Sequence, residues 1–137
     1  MIRKVLFFLL LTTVLAVNAM AQDERKIPDL KGTWKATAQM HYKQHGHMNP
    51  KGNAAELVVV SQEGQVIHGY VSWKHKASDK DTFSGVIEND GATFYMVGHT
   101  EGIRIGKIDS PDSFTLYILI PGGKNPRAGL ASFKRVK

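Results

Sequence analysis

The sequence predicts an all-β protein, an eight-stranded antiparallel up-and-down β-barrel. Three observations predict it: eight short runs of alternating or apolar residues, turn-forming residues between every neighbouring pair, and no apolar pattern at helical spacing sustained beyond a turn or two. No connection has room for a crossover helix, so consecutive strands pair antiparallel. Closing them into a cylinder removes both edges of an open sheet, which favours a barrel over the alternative, a two-sheet sandwich. Eight strands leave an interior wide enough for packed side chains or one small ligand.

The chain has 137 residues, with 18 Lys+Arg against 12 Asp+Glu and no Cys. Residues 1–21 read as an export signal: Arg3 and Lys4, an apolar run from Val5 to Val17, then Ala19-Met20-Ala21. That run is 13 residues long, short of the ~20 that a membrane-spanning helix needs. Cleavage after Ala21 leaves residues 22–137, a single barrel domain of 116 residues and net charge +4. Such a chain holds one modest core and no disulfide. The expected location is a bacterial periplasm or the outside of the cell, with no membrane span after cleavage.

The strands follow in order. Gly32 to Tyr42 alternates cleanly, with Trp34, Ala36, Ala38, Met40 and Tyr42 on one face and Lys35, Thr37, Gln39, His41 and Lys43 on the other. Glu56 to Ser61 and Val66 to Trp73 flank Gln62-Glu63-Gly64-Gln65, whose Gly supplies the positive φ of a tight hairpin. Thr82 to Glu88 and Ala92 to His99 flank Asn89-Asp90-Gly91, the strongest hairpin signal in the chain. Ile103 to Ile108 follows Thr100-Glu101-Gly102, and Phe114 to Ile120 follows Asp109-Ser110-Pro111-Asp112. The last, Ala128 to Val136, follows a connection rich in Pro and Gly.

Connections in a meander alternate between the two barrel ends. One end receives Lys43 to Ala55, Lys74 to Asp81, Thr100 to Gly102 and Pro121 to Arg127, three of them long; the other receives only the short turns at 62–65, 89–91 and 109–112. The first is expected to be an open mouth and the second a closed floor.

Gly32-Thr33-Trp34 resembles the opening Gly-x-Trp of the calycin superfamily, the lipocalin, fatty-acid-binding and avidin group of antiparallel barrels. The resemblance implies a lipocalin- or avidin-like fold in which Trp34 sits at the floor beneath a basic side chain of the last strand, here Arg135. A guanidinium on an indole face gains a cation-π contact while closing the barrel bottom. The sequence departs from avidin after Trp34, where Lys35 to Met40 lacks the Asn and Ser that the avidin pattern uses for biotin. Biotin is therefore not expected.

At the mouth, Lys43, Lys51, Lys74, Lys76, Lys80, Lys124 and Arg127 face Asp79, Asp81 and Glu101, whereas Glu63, Glu88, Asp90, Asp109 and Asp112 populate the floor hairpins. This asymmetry is either a rim that keeps the protein soluble or a field that favours an anionic ligand. Lys43, Trp73, Lys74, His75, His99, Lys124 and Arg127 are the candidate ligand-binding residues. His41, His45 and His47 are weak candidates for a metal, with bare solvation as the other reading. Small inward residues, Ala36 and Ala38, and strand glycines at 69, 85, 98 and 106 either leave room for a cavity or mark bends.

The sequence carries no Gly-x-Ser-x-Gly, phosphate loop, His-Glu-x-x-His or Cys, so no catalytic residue is assigned and no cofactor is implied. A spatial cluster of His99, Asp81 and Tyr95 would be the place to look for catalysis. Nucleic acid is disfavoured for want of a basic stripe with stacking aromatics. The expectation is an exported binder of an amphipathic or anionic small molecule. The alternative is a protein-protein interaction module, such as an inhibitor of an exported enzyme, with a filled core and contacts through its loops. A cavity of ~300 Å³ or more would favour the ligand.

Overall fold

The computed structural model describes residues 26–49, 52, 54–73 and 80–137. The segment read as an export signal lies outside them. Nine strands form one antiparallel sheet: β1 (Gly32–Tyr42), β2 (Gly46–Met48), β3 (Ala55–Glu63), β4 (Val66–Trp73), β5 (Lys80–Ile87), β6 (Thr93–Gly98), β7 (Ile103–Ser110), β8 (Ser113–Ile120) and β9 (Arg127–Arg135). β9 returns to β1 in a register running from Trp34↔Arg135 to Tyr42↔Arg127, which closes the cylinder. The eight expected strands are all present, in up-and-down order. β2 is additional: it occupies the edge of β1 at Met40 to Tyr42, beyond where β3 pairs with Gly32 to Ala36, so the circumference still counts eight strands. Among the described residues no helix is long and apolar enough to cross a membrane.

Alternation decides what fills the cylinder. Trp34, Ala36, Ala38 and Met40 are buried along β1, and Leu57, Phe83, Ile87, Phe94, Phe114, Leu116 and Phe133 join them from the other strands. Phe114 is the hub near the floor, with ring centroids 4.6 Å from Trp34, 5.3 Å from Phe94 and 5.0 Å from Phe133. The strand glycines at 69 and 106 leave no empty room here. A Cβ at Gly106 would stand 2.1 Å from the Phe94 ring, and one at Gly69 would stand 1.9 Å from the Val58 carbonyl oxygen and 2.9 Å from the Phe83 ring.

The floor closes as the Gly-x-Trp resemblance implies. Arg135 lies over the Trp34 ring, its Cζ 4.1 Å from the centroid. Its guanidinium donates to the carbonyls of Lys31 (2.6 Å), Asp29 (2.8 Å) and Pro111 (3.1 Å) and stands 3.3 Å from the Asp112 carboxylate. The indole N–H of Trp34 donates to the Leu30 carbonyl at 3.0 Å. Gln62 fastens the incoming chain, accepting from the Leu30 N–H and donating to the Pro28 carbonyl, both at 2.9 Å. Leu30 is thereby buried under the barrel.

Candidate functional site

Above the aromatic layer the barrel opens into a cavity of about 890 Å³ at the predicted mouth. Strand parity builds its walls. Met40 and Tyr42 continue the inward face of β1, Ile118 and Ile120 that of β8, and Trp73 closes the end of β4. His45 and Met48 reach it from the β1–β2 hairpin. The walls thus combine these apolar and aromatic side chains with a polar side that includes Asp81, Thr100, Glu101, Arg104 and Arg127.

The deepest polar group is Arg104 of β7. Its side chain is 3% exposed and its Nη2 donates to Asp81 Oδ2 at 2.7 Å. Asp81 Oδ1 accepts from the Thr100 N–H at 3.1 Å, so both carboxylate oxygens are engaged. Gly98 makes this arrangement possible, because a Cβ there would lie 2.6 Å from both Arg104 Nη1 and Asp81 Oδ2. Arg104 Nε and Nη1 are buried and meet no acceptor among the described residues. A buried donor left unpaired costs about 1–3 kcal/mol, so this N–H edge favours any ligand oxygen that reaches it.

Nearer the opening, Arg127 pairs with Glu101 and lies 5.7 Å above the Tyr42 ring. Its Nη1 also donates to the Asn125 carbonyl at 3.1 Å. Lys124 stands exposed on the rim, with its carbonyl held by Gln44 at 2.9 Å. Lys80 also lines the cavity, and its ammonium lies 4.3 Å over the Tyr70 ring. Four cations and two carboxylates line the cavity, and each carboxylate is paired with one of the cations, Asp81 with Arg104 and Glu101 with Arg127.

Of the expected ligand-binding residues, Trp73, Lys124 and Arg127 line the cavity. Lys43 is exposed beside it and donates its backbone N–H to the Pro126 carbonyl at 3.0 Å. His99 stays on the outer wall, its ring nitrogens 2.8 Å from the Thr82 hydroxyl and 3.0 Å from that of Ser84. Lys74 and His75 lie outside the described residues. His99 instead stacks at 6.1 Å on His68, whose Nδ1 is 2.9 Å from the Phe83 carbonyl. The cluster of His99, Asp81 and Tyr95 does not form, since Asp81 turns to Arg104 and the Tyr95 hydroxyl donates to Glu88 at 2.7 Å.

The His-rich loop divides. His41 and His47 are cross-strand partners with ring centroids 4.7 Å apart, whereas His45 packs 6.3 Å from Tyr42 at the cavity. No three His, Cys, Asp or Glu among the described residues converge on a metal-sized space.

Sequence reasoning missed Arg104. On the Ile103-Arg104-Ile105-Gly106 run, alternation with apolar residues inward assigns the two Ile to the core and Arg104 to solvent. The register does the opposite: Ile103 is 51% exposed and Arg104 is buried. The available signal was the pair of small residues Gly98 and Gly106 on the neighbouring inward positions, which make room for a bulky neighbour.

No protein-family model and no curated protein matches the sequence. Among solved structures the chain is similar to a redesigned beta barrel, at 12% identity over 79% of this chain and 92% of that one, with a TM-score of 0.49. It is also similar to the S-type phycobiliprotein lyase CPES from Guillardia theta, at 13% identity over 79% and 89%, with a TM-score of 0.38. The architecture stated above rests on the strand pairing itself.

Proposed function

We propose that the protein binds an amphipathic small molecule, apolar tail against the Met40, Trp73, Ile118 and Ile120 walls and acid or other acceptor head on the free N–H edge of Arg104. The observation that carries this reading is a buried guanidinium with two unpaired nitrogens at the wall of a cavity of about 890 Å³. Arg104 and Asp81 together are neutral, so a carboxylate head adds one negative charge, which Lys124 at the rim offsets. Arg geometry suits a planar carboxylate in particular, with parallel N–H···O bonds. A cavity of this size supports the ligand over the filled-core interaction module, for which loop contacts alone would suffice.

Binding rather than catalysis is our reading of the Arg104–Asp81 pair. Asp81 has both oxygens engaged, which leaves no carboxylate poised as acid or base. Membership of the calycin superfamily is part of the same proposal, supported by the Trp34–Arg135 floor. So is export, supported by the pattern of residues 1–21; a secreted or periplasmic product beginning at Gln22 is the expected mass.

The test is displacement of an apolar fluorescent probe by decanoate and by decanol. Decanoate should compete at least tenfold better on the wild type, and Arg104→Met should abolish that preference while keeping probe binding. No saturable probe binding, or an unchanged preference in Arg104→Met, overturns the proposal.

A further inference from the structure

We infer that the outer wall formed by β6 to β9 is the interface of a homodimer. The register lines up two adjacent rows of outward side chains across these four strands. One row is Tyr95, Ile105, Tyr117 and Leu130; the next is Val97, Ile103, Leu119 and Ala128. Val86 of β5 extends the first row through its pairing with Tyr95. Seven of these large side chains are 37–55% exposed.

Neither row contains Lys, Arg, Asp or Glu. The row below them, towards the floor, turns polar at Thr93, Lys107, Thr115 and Ser132, and Lys107 there is tied to the Thr93 hydroxyl at 2.8 Å. On the next strand round the cylinder, β1, the outward positions are Lys35, Thr37 and Gln39, with Gln39 directly beside Leu130, so the rows end in a polar margin there. Seven of the eleven large apolar side chains that stand exposed among the described residues thus lie on β5 to β9, against Val60 and Val66 on β3 and β4.

The seven side chains present on the order of 600 Å² of apolar surface, at the upper end of what a monomer leaves open. A stable interface buries about 800 Å² per partner, which this patch and its polar margin supply. A second copy is the occupant that fits. An uncharged face of sheet needs an uncharged, gently twisted face opposite it, and this wall is itself such a surface. Two sheets pack face to face at about 10 Å with their strands nearly aligned, and a two-fold axis through the patch produces that contact from one sequence. The cavity mouths stay free in this arrangement, because both rows face outward.

Sedimentation velocity over a range of concentrations tests the inference on the purified protein. We expect a dimer at micromolar concentration that Val97→Glu or Leu119→Glu weakens at least 100-fold, with the thermal midpoint little changed because both side chains are exposed. The protein contains no Cys, so a short bismaleimide should link Tyr117→Cys to its counterpart and leave Ser61→Cys, exposed on β3 across the barrel, unlinked. A monomer at every concentration overturns the inference. So does a dimer indifferent to both Glu variants, equal cross-linking at the two Cys positions, or a monomer that instead floats with phosphatidylcholine vesicles.

Discussion

Arg104 and Asp81 form the charge pair on which the interior depends. Removing one member of a buried pair leaves the other uncompensated, whereas replacing both with apolar groups restores a satisfied interior. Asp81→Ala should therefore lower unfolding free energy by about 3 kcal/mol in urea titrations. Asp81→Leu combined with Arg104→Met should recover most of it. Equal losses in the single and double variants would mean that the pair is not the source of the effect. A second residue acts at the floor. The carboxylate of Asp90 accepts from the Ala92 N–H, the Thr93 hydroxyl and the Thr93 N–H, and these bonds hold its pKa at about 2, below the ordinary 3.8. A depressed carboxylate contributes stability that is complete above the unfolded value and lost as pH falls through the folded one. Thermal midpoints of the wild type should thus drop more steeply than those of Asp90→Asn between pH 4 and pH 2, and parallel curves would refute the assignment. Asp90 is legible in the sequence as part of Asn89-Asp90-Gly91. Arg104 is not, because its flanking isoleucines follow the dimer-facing wall rather than the core.

At the scale of the element, alternation and turn chemistry made the barrel strands readable. β1 and β4 have the predicted bounds, and the others differ by a few residues at their ends. β2 was hidden because three residues, Gly46 to Met48, give no period. It exists because β1 extends past the end of β3 and offers an unpaired edge, which the β1–β2 hairpin covers. Exact facing was less readable than strand position: Tyr70, Tyr95 and Tyr117 all lie on outward positions, and no local pattern distinguishes them from inward Phe94. The β1–β9 seam ends at the Trp34–Arg135 contact. Arg135→Ala removes the cation-π contact and the hydrogen bonds to three backbone carbonyls, and should cost about 2–4 kcal/mol. Arg135→Lys should recover less than half, since an ammonium cannot stack or fork in the same way. Full rescue by Lys would show that charge alone closes the floor.

The whole molecule divides along its axis into a solid half and a hollow half. Aromatic side chains fill the floor half, while the mouth half is walled by Met40, Trp73, Ile118 and Ile120 around the Arg104 edge. This division follows from where the large inward residues fall along each strand, and loop length located the open end correctly. What loop length could not give is the depth of the polar group, because Arg104 lies within β7 rather than in a loop, while Arg127 at the rim is paired with Glu101. Ligand selection accordingly depends on one buried guanidinium more than on the rim as a whole. A crystal structure of the protein soaked with decanoate measures this most directly. The carboxylate should lie within 3.2 Å of Arg104 Nε or Nη1 with its chain along Ile118 and Trp73. A carboxylate held at Lys124 with the chain pointing outward, or a cavity that takes up no decanoate at saturating concentration, would contradict the account.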